Sequence, residues 1–169
     1  MTTGDNDSSF DGSGKGPAMP LRLLYVQSHW LARKVAWWLM QDVPCIWTYA
    51  GNAAEALAKV GVSSSADGGS DAESGPEPGE QAARFDVVIV DHEQAEGSGL
   101  RIVRMLRDAG YKGPIIAITV DEVGDIEKTC YENLDTPLLL LLPDKAGMMK
   151  NAVAEAATEQ AGRDDASKA

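Results

Sequence analysis

The sequence predicts an α/β fold of five βα units, a doubly wound parallel sheet with helices on both faces. Three observations predict it. Short and nearly continuous apolar runs recur along the chain, as expected of strands covered on both sides. Each run is followed by a stretch whose apolar residues recur at helical spacing. Glycines and small polar residues mark the boundaries between them. Alternating β and α segments of this kind build a parallel sheet with right-handed crossovers.

The elements follow in order. "LRLLYV" (21–26) is the first strand, and "HWLARKVAWWLMQ" (29–41) is a helix with apolar residues at Leu31, Val35, Trp38 and Leu39. "CIWTYA" (45–50) is the second strand, and "NAAEALAKV" (52–60) a helix with Asn52 as its N-cap and Gly61 as its stop. A third strand spans 85–90, and a helix over 98–109 is closed by Gly110. "PIIAITV" (114–120) is the fourth strand, with a helix near 124–133 behind it. "LLLLL" (138–142) is the fifth, and the last helix lies near 145–158.

Length and composition bound the rest. At 169 residues and 44% hydrophobic, the chain holds one domain with a real core and some tail. The domain is expected over 21–158, with polar tails at 1–20 and 159–169. An internal segment, 61–81, carries five acids and no base among Gly, Ser, Ala and Pro, and reads as a flexible acidic insertion. It supplies five of the net −11 charges, which arise from 26 acids against 15 bases. No basic cluster stands out, which argues against a nucleic-acid footprint. No run approaches the ~18 apolar residues of a membrane span, and the N-terminus lacks the apolar core of a signal peptide. A cytoplasmic protein is expected, with Cys45 and Cys130 as reduced, partly buried thiols.

In sheets of this type the working site lies beyond the carboxyl ends of the central strands. Asp91 ends the third strand within "RFDVVIVDHEQAEGSGL", while Gln27, Ser28 and Thr119 sit at the ends of the first and fourth. Gly97 and Gly99 are too few for a phosphate-binding fingerprint and are read as turn glycines. His29 and His92 lack a third ligand at useful spacing and are read as ordinary loop histidines. Nothing specific supports a small-ligand pocket. Trp30, Trp37 and Trp38 crowd one helix. Adjacent Trp37 and Trp38 are about 100° apart on a helix, so both cannot face the sheet, and an exposed Trp is a common interface anchor.

With "FDVVIVDHEQAEGSGLRIVRMLR" and "GPIIAITV" in place, the chain resembles a receiver domain of two-component response regulators over about residues 20–157. The resemblance implies a flavodoxin-like fold with strand order 2-1-3-4-5. It also implies that Asp91 stands at the phosphoacceptor position and Thr119 at the hydroxyl position ending the fourth strand. Arg33 matches an arginine common in the first helix, and Gly99 keeps a glycine whose preceding aspartate is here Ser98.

The departures fall on the chemistry. Gln27 and Ser28 stand where a receiver has two acids that hold Mg²⁺. Leu142, before Pro143, stands where it has a lysine, and Gln94–Ala95 replaces the usual Met-Pro. Mg²⁺ usually takes one or two carboxylates besides phosphate and water. Asp91 is the one anionic group left from that set, with Glu93 as a weak further candidate; Asp121 and Glu122 read as solvated loop acids. Losing such preorganised groups is worth on the order of 10²–10⁴-fold in rate. The resemblance therefore implies a degenerate receiver, a pseudo-receiver that is no enzyme, binds Mg²⁺ weakly if at all, and works by protein contact. No output domain follows residue 158, so a stand-alone signalling protein is expected. Its implied partners are a histidine kinase, a phosphotransfer protein, another receiver or a second copy, met through Trp30, Trp37 and Trp38. The alternative is a working response regulator phosphorylated at Asp91 by a dedicated kinase.

Overall fold

The computed structural model describes residues 19–61, 84–94, 97–141 and 147–166. The acidic insertion beyond Gly61, most of the N-terminal tail, Ala95 and Leu142 lie outside the described residues. The elements are β1 (Leu21–Val26), α1 (Trp30–Leu39), β2 (Cys45–Ala50), α2 (Ala53–Val60), β3 (Val87–Asp91), β4 (Glu93–Gln94), β5 (Gly97–Ser98), α3 (Gly99–Asp108), β6 (Ile115–Thr119), α4 (Asp125–Asn133), β7 (Leu138–Leu140) and α5 (Gly147–Ala166).

Five strands form one sheet in the order β2-β1-β3-β6-β7, and every pair in it is parallel. β4 and β5 form a separate antiparallel ribbon of two residues each. With that ribbon set aside, the order is the expected 2-1-3-4-5.

Alternation along the strands sorts the core into two layers. Leu24, Val26, Val88, Val90, Ile115 and Ala117 pack against Leu57 of α2, Ile102, Val103 and Leu106 of α3, and Tyr131 of α4. Their neighbours Leu23, Tyr25, Val87, Ile89, Ile116 and Ile118 face the other way, onto Ala36 and Met40 beside α1 and Met149 and Val153 of α5. Each large side chain so buried contributes about 1.5–3 kcal/mol relative to exposure. Because both faces are covered, the strands read as unbroken apolar runs.

Local chemistry sets the boundaries. The Asn52 side chain accepts from the Glu55 N–H, and Gly61 ends α2 in the left-handed region at φ 70°. Arg107, near the end of α3, donates to the carbonyls of Tyr111, Gly113, Leu134 and Asp135, tying two loops to that helix. Cys45 and Cys130 are free and half-buried.

Three expectations need correction. α1 does not bury Leu31, Val35 and Trp38, which are about half exposed; it buries Ala36, with Met40 just beyond it. Ala36 lies on a different side of the helical wheel from Leu31, Val35 and Trp38, so burying its side turns those three out. β7 is shorter than 138–142, stopping at Leu140 with all three residues half-buried, as befits an edge strand. α5 continues past 158 to Ala166. Glu159, Gln160, Ala161 and Arg163 are good helix formers, and they prolong the helix without needing an apolar face. Among the described residues, no helix is long and apolar enough to cross a membrane.

Gly99 is fixed by close approach and not by turn geometry. A Cβ there would lie 2.2 Å from the Asp91 carbonyl oxygen, which is backbone and cannot step aside, whereas at Gly162 a Cβ meets nothing within 4 Å. Gly99→Ala is expected to cost about 2–4 kcal/mol in denaturant unfolding. Gly162→Ala should stabilise by about 0.5–1 kcal/mol. Equal effects of the two would contradict the close-approach account.

Candidate functional site

The site is built where β1, β3 and β6 end together. Register pairs Val26 with Val90 and Asp91 with Ile118, so the loops after these strands open at one level of the sheet. Asp91 is the last residue of β3, and its carboxylate is held by neutral donors. The Tyr25 hydroxyl donates to Oδ2 at 3.0 Å, and the Glu93 N–H donates to Oδ1 at 3.0 Å. Tyr25 itself is almost fully buried. Burial raises its pKa, with Asp91 beside it adding to the rise, so it remains a neutral phenol that donates.

Gln27 is buried and fully used. Its side-chain oxygen accepts from the His29 N–H at 3.0 Å, its amide nitrogen donates to the Glu93 carbonyl at 3.4 Å, and its backbone carbonyl accepts from Arg33 Nε at 2.6 Å. Arg33 also lies 5.1 Å from the centre of the Tyr49 ring. Ser28 is exposed and lines a cavity of about 400 Å³ between α2 and α3, with Asn52, Gln94, Ser98 and Arg101. Asp91 and Thr119 line a different cavity, about 280 Å³, whose walls include Leu31, Val35, Ile118, Val120 and Leu141. Of the predicted positions, then, Asp91 and Thr119 share a cavity, Gln27 is sealed beside it, and Ser28 faces elsewhere.

Thr119 is buried at the end of β6. Its hydroxyl lies 2.6 Å from Glu93 Oε1 and 2.8 Å from the Asp121 carbonyl, and it accepts from the Asp121 N–H at 3.1 Å. Asp121 and Glu122 are exposed and line a third cavity, between α4 and β7, with Lys128 and Glu132.

Three contacts escaped the sequence reading. Tyr25 was legible only as a strand residue. Gln94 donates to both the Val26 and Asp91 carbonyls, at 2.8 and 2.9 Å, stitching the ends of β1 and β3. His92 is more than a loop histidine: its Nδ1 lies 2.9 Å from the Tyr131 hydroxyl, and its Nε2 lies 4.0 Å from Glu127 of α4. A period-two pattern places Tyr25 on the same face as Ile89, but nothing in sequence reports a hydroxyl meeting a carboxylate across strands.

Mg²⁺ is the ion that a receiver-like site implies, and it prefers octahedral oxygen coordination with carboxylates. The donors present fit it poorly. The Gln27 oxygen is neutral, buried and already accepts a backbone amide, Ser28 opens into another cavity, and Glu93 is drawn to Thr119. No cluster of three or more metal-ligating side chains occurs among the described residues.

Burial pushes the Asp91 carboxyl up to about 6; the Glu93 carboxyl adds to the rise, while hydrogen bonds from Gln27, Tyr25 and the Glu93 backbone oppose it. The unfolded value is about 3.9, so between the two the folded chain keeps a proton that the unfolded chain has released. This group's stability contribution is complete below the unfolded value and is lost as pH rises through about 6. Asp91→Asn is therefore expected to flatten the fall in Tm between about pH 4 and about pH 7. At neutral pH it should gain about 1–2 kcal/mol, reduced from the full linkage value by partial solvent access. An unchanged slope in the variant would rule out Asp91 as its source.

No protein-family model and no curated protein sequence matches the chain. Solved structures do. The chemotaxis protein CheY4 of Vibrio cholerae matches at TM-score 0.58 and 21% identity, over 81% of this chain and 98% of that one. A CheY-like response regulator receiver domain from Methanospirillum hungatei matches at TM-score 0.62 and 13% identity, over 85% and 98%. The response regulator TrrA of Thermotoga maritima, solved in complex with Mg²⁺ and BeF, matches at TM-score 0.57 and 20% identity, over 80% and 98%. Nearly the whole of each of these proteins is spanned, and the fold of this chain is that of response-regulator receiver domains.

Proposed function

We propose that this chain is a receiver-like signalling protein of the two-component or phosphorelay type. It works through protein contacts, with Mg²⁺-dependent aspartyl phosphorylation at Asp91 impaired. One observation carries the reading. The groups around Asp91 are neutral donors already engaged within the chain: the Tyr25 hydroxyl, the Glu93 N–H and a Gln27 amide that bridges two loops. Phosphoryl transfer to a carboxylate brings anions together and depends on positioned cations to offset the charge. Here the cavity wall beside Asp91 is largely aliphatic. The TrrA match shows what the same fold can hold. In this chain the two positions that would share the ion carry an amide and an exposed hydroxyl.

The protein-contact half of the proposal rests on α1. Trp30, Trp37 and Trp38 are 62, 54 and 60% exposed, with Leu31 and Val35 beside them at about half. On a helical wheel these five form one stripe around Lys34, whose ammonium lies 5.1 Å from the Trp30 ring centre. Contiguous exposed apolar residues on one helix are a mark of an interaction surface.

A second reading has its own support: Asp91 and Thr119 still line one cavity, as a phosphorylated regulator would need. Intact mass after incubation with Mg²⁺ and a small phosphodonor decides between them, with Asp91→Asn as control. No Asp91-dependent gain of a phosphoryl group is expected, and such a gain would overturn the first reading in favour of the second. For the surface, Trp30→Ser, Trp37→Ser and Trp38→Ser are each expected to change stability by no more than about 0.5 kcal/mol. Ala36→Leu, on the buried side, should cost about 1–3 kcal/mol. A large loss at the tryptophans would make them structural instead.

A further inference from the structure

We propose that Glu93 acts as a resident acceptor for the Thr119 hydroxyl, holding the segment after β6 in one position without any covalent modification. The inference rests on reading Asp91 and Thr119 as the paired positions of a receiver-like site.

An anion entering this cavity, whether free or attached to Asp91, needs hydrogen-bond donors. Two buried hydroxyls stand at the cavity, Tyr25 and Thr119, and each has a single proton to give. Tyr25 gives its proton to Asp91. Thr119 has two acceptors within reach, Glu93 Oε1 at 2.6 Å and the Asp121 carbonyl at 2.8 Å. The carboxyl oxygen is the nearer of the two. Glu93 therefore takes the proton. The Thr119 oxygen in turn accepts from the Asp121 N–H, so one short contact fixes both the hydroxyl and the first turn of the β6–α4 connection.

Glu93 is well placed to do this repeatedly and not by accident of rotamer. Its N–H is bound to Asp91 Oδ1, its carbonyl accepts from Gln27, and its backbone pairs with Ser98 in the small ribbon. The backbone is anchored at three points, leaving the side chain a short reach to Thr119. The consequence is that the Thr119 proton an arriving anion would need is already spent within the chain.

Hydrogen exchange on the full chain, read at residues 119–124, tests this with four proteins beside wild type. Glu93→Gln keeps a neutral acceptor and should leave protection there within about twofold. Glu93→Ala and Thr119→Val should each lower protection on the order of tenfold. The double variant Glu93→Ala/Thr119→Val should lose no more than either single, because both remove the same contact. Amides of β1, around Leu24, report that each variant is folded. Additive losses in the double variant, or full protection in Glu93→Ala, would overturn the proposal. Treating wild type with phosphodonor and Mg²⁺ tests the receiver reading by itself: Asp91 modification alongside non-additive losses would refute that reading while leaving the Glu93 contact standing.

Discussion

The carboxyl of Asp91 is held at the end of a strand buried on both faces, and keeping that group satisfied away from bulk water organises everything around it. Each oxygen takes a donor from a different element, Tyr25 on β1 and the backbone of β4. Those elements must then be held in turn. Gln94 binds the carbonyls at the ends of β1 and β3, and Gln27 spans from the start of the α1 loop to the ribbon. Gly99 lets α3 begin directly against the Asp91 carbonyl, its N–H donating to the His92 carbonyl at 2.9 Å. Buried polar networks of this kind are stable only when every member is satisfied. Here satisfaction comes from within the chain, with amides and hydroxyls, and that same completeness leaves little for an incoming ion to bind.

α1 joins this network to the outside. Its inner side carries Ala36, with Met40 just beyond, and the bulk on the opposite side projects outward. Leu31 and Val35 reach the cavity beside Asp91, while Trp30, Trp37 and Trp38 extend the same stripe over the surface. A partner laid on the tryptophans would therefore touch the helix that walls the cavity. Site and surface are one structural unit.

Much of this was legible in the sequence. The five strands, the caps at Asn52 and Gly61, and the placement of Asp91 and Thr119 at strand ends followed from apolar runs and turn chemistry, because parallel strands covered on both sides leave little ambiguity. The inward face of α1 was not legible. Spacing alone favours the largest apolar residues for the core, and here Ala36 and Met40 take those places instead. The reach of α5 to Ala166 was missed because a polar helix carries no periodic signal. Within the site, residue types were readable but their partners were not. Gln27 as a bridge, Tyr25 as a donor and Glu93 as an acceptor depend on contacts between residues 66 or 26 positions apart.

The same dependence on long-range contact links the aspartate to α4. Tyr131 is fully buried, so its hydroxyl requires a partner, and His92 supplies one at 2.9 Å from the position next to Asp91. Glu127, one turn earlier on α4, stands 4.0 Å from the other ring nitrogen. A shift of the chain at Asp91 cannot leave His92 in place, and moving His92 takes from the Tyr131 hydroxyl one of its partners, Ser98 being another. The residue beside Asp91 is thus bound to α4 on one side of the sheet, while on the other Asp91 shares a cavity with Leu31 and Val35 of α1. Gln27 and Ser28 bring no charge to the site, and the contact to α4 does not pass through them. Any displacement at Asp91 would therefore be felt at α4 through His92 and Tyr131.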